Sequence, residues 1–205
     1  MDREAFYRAC EEVKNLEQGS CGFGSLGEKT LHAVLKSYLE PNSDCWEVGV
    51  GKYIADIAND DGITEIQTRD FNRLREKLKF YLETTKVTIV HPIPGVKWLC
   101  WINPDTGEIT KKRKSPKAGS IYDSFKELYK IKPFLTHPGL RIKLILLEVT
   151  EYRWLNGWSQ DGKKGSTRQE RIPNDILEEF YIESVEDYKK MIPPQRENPK
   201  VCVNL

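Results

Sequence analysis

A short turn sequence between two extended runs constrains this chain most. Residues 59–62 read Asn-Asp-Asp-Gly, and the flanking residues 53–58 and 63–68 are rich in β-branched and apolar side chains. Turn residues between such runs predict a β-hairpin. Residues 45–50 form another extended run just before it, so the sequence predicts an antiparallel meander of three strands.

Two segments with helical spacing of apolar residues flank this meander. Residues 25–40 carry one apolar stripe that ends at Pro41, and residues 70–82 carry a second. An apolar run at 87–90 predicts a further strand, which gives the order αβββαβ. Beyond it, the sequence predicts a hairpin of residues 97–103 and 108–112, a helix at 120–130 and a buried strand at 140–149. We therefore expect an α/β fold in which helices flank a mixed sheet.

The chain divides into three segments by composition. Residues 1–23 form a helix and a glycine-rich connection, residues 24–150 form the core with an inserted basic hairpin, and residues 151–205 form a small C-terminal helical appendage. The appendage has helical signals at 175–180 and 184–191. It faintly resembles a fragment of a winged helix, and a helical cap on the core is the equal alternative.

Composition narrows the location and the partners. Lys plus Arg number 32 and Asp plus Glu number 31, so a net charge of +1 gives no global attraction to nucleic acid. The sequence predicts a cytoplasmic protein without a membrane partner, because the start lacks a secretory pattern and no apolar run reaches the ~20 residues that span a bilayer. Five scattered cysteines without a CxxC pair indicate reduced thiols.

The turn of the first hairpin decides which side chains meet across the strands. If Asp60 and Asp61 form a two-residue loop, Asp56 lies opposite Glu65. If the loop is Asp61-Gly62, Asp56 lies opposite Gln67, and Glu65 and Gln67 share a face in either case. A three-residue loop would send Glu65 to the other face.

Opposed carboxylates at this spacing suit one divalent cation. Cβ atoms of directly opposed residues lie about 4.5 to 5.5 Å apart, which lets two carboxylates hold Mg²⁺ or Mn²⁺ through their oxygens. The alternative is a half-exposed sheet whose acids face water or pair with Lys52 or Arg69.

The pattern of Glu28 on the first helix, Asp56 on one strand and Glu65-Ile66-Gln67 on the next resembles the PD-(D/E)XK, or restriction-endonuclease-like, nuclease superfamily. The resemblance covers residues 24–92 and is that of a Glu-x-Gln variant in an uncharacterised bacterial-type family. It implies a restriction-endonuclease-like αβββαβ core. Ala55 stands in place of the proline that commonly precedes the Asp, and Gln67 stands in place of the lysine.

The resemblance also implies a function. Asp56, Glu65 and Glu28 would bind magnesium, and Gln67 would position the attacking water. The implied activity is metal-dependent hydrolysis of phosphodiester bonds in DNA, with RNA as a second possible substrate. Because an amide cannot supply positive charge, a non-catalytic nucleic-acid-binding or adaptor protein is the alternative.

Basic residues outside the motif are candidates for phosphate contact. A solvated loop, or pairing within the helix for the arginines, is the alternative. A homodimer is possible, because cutting both strands of a duplex favours two sites related by a two-fold axis. The candidate nucleic-acid residues are Lys111, Lys112, Arg113, Lys114, Lys117, Arg69 and Arg73.

Overall fold

A seven-stranded mixed sheet forms the centre of the molecule, with helices on both of its faces. The structure is a computed structural model that describes residues 1–18, 27–157 and 167–191, without the side chains of residues 16–18 and 27–29. The α-helices are α1 (Arg3–Gln18), α2 (Gly27–Leu39), α3 (Arg75–Tyr81), α4 (Phe125–Leu128) and α5 (Val185–Lys190). Short 3-10 helices span Ser43–Cys45, Phe71–Leu74, Ile121–Ser124 and Tyr129–Phe134.

The strands combine an antiparallel meander with a parallel centre. They are β1 (Trp46–Val50), β2 (Tyr53–Asn59), β3 (Gly62–Ile66), β4 (Val87–Ile102), β5 (Arg113–Lys114), β6 (Leu140–Trp154) and β7 (Arg168–Ile182). The sheet order is β1-β2-β3-β4-β6-β7, and β5 pairs with β4. Strand β4 runs parallel to both β3 and β6, whereas the β1–β2, β2–β3 and β6–β7 pairs are antiparallel. The expected α/β fold with a mixed sheet is confirmed.

Each face of the sheet buries its own apolar cluster. On one face α3, with the 3-10 helix before it, packs Phe71, Leu74 and Leu78 against the sheet. On the other face, α1 and α2 pack residues such as Phe6 and Leu35. Alternating residues of β4 and β6 enter opposite clusters, as the two-residue period of a strand requires. The sheet is therefore the middle of three layers.

The first hairpin has the two-residue loop Asp60-Asp61. Its pairs are Ile57 with Thr64, Ala58 with Ile63, and Asn59 with Gly62. Gly62 adopts φ +123°, and a Cβ at this position would lie 2.4 Å from the carbonyl oxygen of Lys86. Only glycine fits both the backbone conformation and this close approach, so Gly62 fixes the register in which Asp56 faces Glu65.

Strand β4 is longer than the sequence predicts. It continues from Val87 to Ile102 through Pro92 and Pro94, with a register irregularity between Pro94 and Val96 in its pairing with β6. The expected strands at 87–90 and 97–103 are thus one strand. The predicted second hairpin is present in reduced form, since only Arg113 and Lys114 pair with β4 as a strand.

The structure contradicts the first half of the predicted C-terminal helical appendage. The helix predicted at 175–180 is wrong, because these residues belong to β7, which pairs with β6 along most of its length. This pairing satisfies backbone groups of β6 that would otherwise form an open edge. The second expected helix is present as α5, and Tyr188 and Met191 at its end pack against the α3-side cluster.

No helix in the described ranges has the length and apolarity that crossing a membrane requires.

Replacing Gly62 tests the register of the hairpin. Gly62→Ala should lower the free energy of unfolding by about 2 kcal/mol, because it combines a strained positive φ with a contact to backbone that cannot move aside. Gly49→Ala is the matched control, since a Cβ there meets nothing within 4 Å. Urea denaturation of both variants measures the difference, and equal stabilities would contradict this role for Gly62.

Candidate functional site

Three acidic residues occupy corresponding positions on three neighbouring strands and together form an acidic row. Glu47 lies on β1, Asp56 on β2 and Glu65 on β3. The pairs that set this register are Trp46 with Ile57, Val48 with Ala55, and Ile57 with Thr64. The register places Glu47 across from Asp56, and Asp56 across from Glu65. The predicted opposition of Asp56 and Glu65 thus follows from the observed two-residue loop.

Asp56 occupies the point where regular pairing between β2 and β3 ends. The backbone N–H of Ile66 donates a hydrogen bond of 2.7 Å to Oδ2 of Asp56, so a carboxylate replaces the usual backbone acceptor. His32 on α2 reaches the same place, with Nε2 2.8 Å from the carbonyl oxygen of Ile66 and 3.5 Å from Asp56 Oδ2. Because a carbonyl oxygen only accepts, Nε2 of His32 carries the proton. Asp56 is therefore held between β3 and α2.

Glu65 is buried and paired with a lysine from α3. Its exposed fraction is 3%, and Lys77 Nζ lies 2.9 Å from each of its carboxylate oxygens. The same ammonium donates to the carbonyl oxygen of Ile54 at 2.7 Å. Burial raises the pKa of Glu65 to about 7 despite the hydrogen bond from Lys77, and the charges of Asp56 and Glu47 add to the rise. Glu65 thus changes charge near neutral pH.

Glu47 adds a third carboxylate with unusual backbone. Its φ is +52°, which is uncommon for a residue other than glycine, and its side chain is mostly exposed. Lys36 on α2 donates a hydrogen bond to Glu47, and this contact lowers the pKa of Glu47. The neighbouring charges of His32 and Lys77 act in the same direction. Glu47 therefore stays ionised at the open side of the row.

Gln67 and Glu28, the other two residues predicted for the site, lie outside the acidic row. The side-chain nitrogen of Gln67 donates to the carbonyl oxygen of Arg69 and lies 3.4 Å from that of Asp70, so it closes the turn after β3. Glu28 lies in the first turn of α2, four residues before His32, and its side chain is outside the described part of the structure. The lysine that contacts Glu65 is Lys77 of α3 and not a residue of β3.

Sequence reasoning missed four members of this site. Glu47 had a detectable signal, because Glu47, Asp56 and Glu65 are spaced by nine residues and Gly51-Lys52 forms the same kind of two-residue loop. His32 and Lys36 lie one turn apart on α2. Lys77 had no local signal, since only the packing of α3 brings it to Glu65. The alternative partner Lys52 instead lies over the ring of Tyr53, 5.2 Å from its centroid.

The donor set fits a cation held by two protein carboxylates. No group of three or more His, Cys, Asp or Glu side chains within the described ranges is arranged to hold a metal ion. Asp56 and Glu65 supply two carboxylates, and Mg²⁺ commonly binds one or two carboxylates while water or substrate oxygens complete its shell. Burial is the main cause of the raised pKa of Glu65, and the charge of Asp56 adds to it. The site thus offers two carboxylates to such an ion, and Lys77 contacts both oxygens of one of them.

The predicted phosphate-contact residues separate into three groups. Lys111, Lys112, Arg113 and Lys114 are exposed on the hairpin, and Lys112 Nζ lies 5.2 Å from the centroid of the Trp98 ring. Arg69 and Lys117 line a common cavity of about 520 Å³. Arg73 pairs with Asp70, three residues before it, at 3.2 Å.

Comparison with known proteins defines the family but not an activity. The chain belongs to the family described as a domain of unknown function, DUF8091, which matches residues 29–183. It is 29% identical over 166 residues to an uncharacterized protein of Treponema pallidum (strain Nichols), a match that covers 79% of this chain. The chain spans 62% of the length of that relative. No solved structure matches.

The pKa of Glu65 predicts a pH-dependent stability. A carboxyl group whose pKa rises from 4.5 to about 7 on folding binds its proton more tightly in the folded state. The resulting stability is present below pH 4.5 and is lost as the pH rises through 7. Between pH 5 and pH 8, wild type should lose on the order of 2 kcal/mol more than Glu65→Gln, which keeps an oxygen for Lys77.

Urea denaturation at pH 5, 6, 7 and 8 measures this difference. Glu76→Gln is the control, because Glu76 is exposed on the same helix as Lys77. This control should follow the wild-type pH dependence. If Glu65→Gln also follows it, Glu65 does not titrate near neutral pH.

Proposed function

We propose that this protein is a metal-dependent nuclease that hydrolyses phosphodiester bonds in DNA. Asp56 and Glu65 would hold Mg²⁺ or Mn²⁺, with Glu28 as a further candidate ligand. The observation that carries the proposal is the buried Glu65, whose pKa is raised to about 7 beside Asp56 and which contacts the ammonium group of Lys77. Two crowded carboxylates and one cation at the end of a strand match the requirements of phosphodiester hydrolysis.

Each side chain has a distinct part in this proposal. When bound, the metal ion would lower the pKa of a water molecule and neutralise charge on the phosphate. Lys77 supplies the positive charge that Gln67 cannot supply, and it reaches the site from α3 instead of from β3. His32 and the N–H of Ile66 hold Asp56 in one orientation. Gln67 supports the turn that follows the strand.

Location and partners belong to the same proposal. We expect a cytoplasmic protein that acts on DNA, with RNA as a second substrate and a homodimer as a possible form for cutting duplexes. The alternative is a non-catalytic nucleic-acid-binding or adaptor protein. It is favoured by one observation, namely that Lys77 already bonds to both oxygens of Glu65 and could replace a metal ion there.

Cleavage assays with matched variants test the activity. Wild type should convert supercoiled plasmid and labelled oligonucleotides to products in Mg²⁺ or Mn²⁺ but not in chelator. Asp56→Asn and Lys77→Met should each lower the rate by at least about 100-fold, because each removes a charge that faces the reacting phosphate. Lys77→Met should stay folded, since Glu65 takes up a proton when Lys77 is absent, and Asp56→Asn should stay folded because it keeps an oxygen that accepts from the N–H of Ile66.

Asp60→Asn is the matched control for Asp56→Asn. It is the same substitution on the same hairpin, but Asp60 is exposed in the loop. Full activity of Asp60→Asn and loss in the other two variants would support the assignment. Equal cleavage by wild type and Asp56→Asn would place the activity elsewhere or in a contaminant.

Metal-linked stability tests the ligand pair without any substrate. Divalent metal at about 100 times its dissociation constant should stabilise wild type by about 2.7 kcal/mol, because binding the folded state shifts the unfolding equilibrium. The shift in melting temperature should be larger at pH 8 than at pH 6, since Glu65 must ionise before it binds metal. Asp56→Asn should lose the shift, and Asp60→Asn should keep it.

A metal shift without cleavage of diverse DNA and RNA substrates would favour the non-catalytic alternative. The same shift in wild type and Asp56→Asn would show that the metal binds somewhere else.

A further inference from the structure

A basic cavity of about 520 Å³ lies beyond the end of β3. This volume is within the range of sites that enclose a small ligand. Its walls come from the turn after β3, from β4, from the loop before Ile121–Ser124, from the helical segment that follows, and from β7. The cationic side chains among its lining residues are Arg69, Lys97, Lys117, Lys126 and Arg171.

The acidic residues in the wall do not balance these cations. Glu127 accepts hydrogen bonds from Lys130 and from the backbone N–H of Phe71. Asp123 accepts from the backbone N–H of Ser120 and caps the short helix. Because both carboxylates bond to other groups, they do not offset the charges of Lys97, Lys117 and Lys126.

Several of the cations lack a partner of their own. Within the described ranges, the ammonium groups of Lys97, Lys117 and Lys126 have no hydrogen bond or ion pair. Lys97 is half-buried. Burial lowers its pKa, the charges of Arg171 and Lys117 act in the same direction, and the charge of Glu151 acts against them. Arg171 bonds to Glu151 at 3.0 Å, yet its buried Nε has no hydrogen-bond partner in the part of the chain that the structure describes. Such groups need an anion or water to satisfy them.

The loop that carries Lys117 is fixed against the sheet. The backbone N–H of Gly119 donates to the carbonyl oxygen of Gly95 at 3.1 Å. A Cβ on Gly119 would lie 2.5 Å from the carbonyl oxygen of Pro94, so only glycine allows this approach. Close docking at Gly119 holds Lys117 on the same cavity wall as Lys97.

The cavity adjoins the acidic row through Gln67. Gln67 lies two residues after Glu65, and its carbonyl oxygen is 2.6 Å from Nδ1 of His91. His91 lines the cavity, as do Thr68 and Arg69, which follow Gln67 directly. The cavity wall and the acidic row therefore share one segment of chain, which runs from Glu65 to Arg69.

We propose that this cavity binds the phosphate group of a nucleotide. Arginine and lysine side chains around a phosphate give the charge-assisted hydrogen bonds that this anion favours, and a nucleotide matches the volume. The nucleotide has two possible sources, which are a free mononucleotide and the terminal nucleotide of a DNA strand. The second source rests on the proposed nuclease function, whereas phosphate binding by the cavity does not.

Isothermal titration calorimetry in chelator tests the binding site apart from any metal or cleavage. The probes are thymidine 5′-monophosphate, thymidine without phosphate, and a single-stranded oligothymidylate with a 5′-phosphate. Wild type should bind the monophosphate at least 10-fold more tightly than thymidine. Lys97→Met and Lys117→Met should each weaken this binding by about 10-fold, because each removes one cation and keeps an apolar stem.

Lys79→Met is the control, since Lys79 is an exposed lysine of α3 that lies outside the cavity wall. It should bind the monophosphate as wild type does. Lys117 is also exposed, so Lys117→Met tests the site even if Lys97→Met lowers stability.

The oligonucleotide distinguishes the two sources. Competition between oligothymidylate and the monophosphate for the lysine-dependent site would identify a strand end as the ligand, and binding of the monophosphate alone would identify a free nucleotide. Equal affinity for thymidine and its monophosphate, or unchanged binding in both lysine variants, would overturn the proposal. Absence of DNA cleavage would leave this measurement unaffected.

Discussion

The buried contact between Glu65 and Lys77 connects the fold to the candidate site. A carboxylate with 3% exposure is costly in a medium of low dielectric unless a cation and hydrogen bonds accompany it. Lys77 supplies both, and its third contact, to the carbonyl oxygen of Ile54, ties α3 to β2. The position of α3 depends in turn on Leu78 and Tyr81, which are buried in the same cluster. A change in the packing of α3 therefore changes the charge of Glu65.

The site is held from both faces of the sheet. Lys77 comes from α3, on one face, whereas His32 and Lys36 come from α2, on the other. This arrangement is possible because regular β2–β3 pairing ends before Asp56, whose carboxylate takes the N–H of Ile66. In a regular antiparallel pair of strands, a backbone carbonyl oxygen would accept the hydrogen bond from the N–H of Ile66. Because one backbone hydrogen bond between β2 and β3 is replaced, side chains from the helices on both faces of the sheet reach the acidic row.

Part of this site depends on the turn and strand patterns alone, and the sequence predicted that part. The turn residues and the two-residue period of a strand left more than one loop open, and they placed Asp56 across from Glu65 only for the loop Asp60-Asp61, which is the one observed. They could not find Lys77, because its contact depends on how α3 packs. The same limit explains the wrong helix at 175–180. Its apolar positions fit a helical period, but pairing with β6 decided the outcome.

Net charge was a poor guide because the charges are separated in space. A value of +1 suggests no attraction to nucleic acid, yet carboxylates gather at Glu47, Asp56 and Glu65 while cations gather in the adjoining cavity. Electrostatic effects at a site follow the local field, since charges beyond about 10 Å are screened at ordinary salt. The metal ion proposed at the acidic row and the phosphate proposed in the basic cavity would together match the charge pattern that a metal-dependent phosphodiesterase needs. This pattern is why the two proposals, although tested separately, point to the same class of ligand.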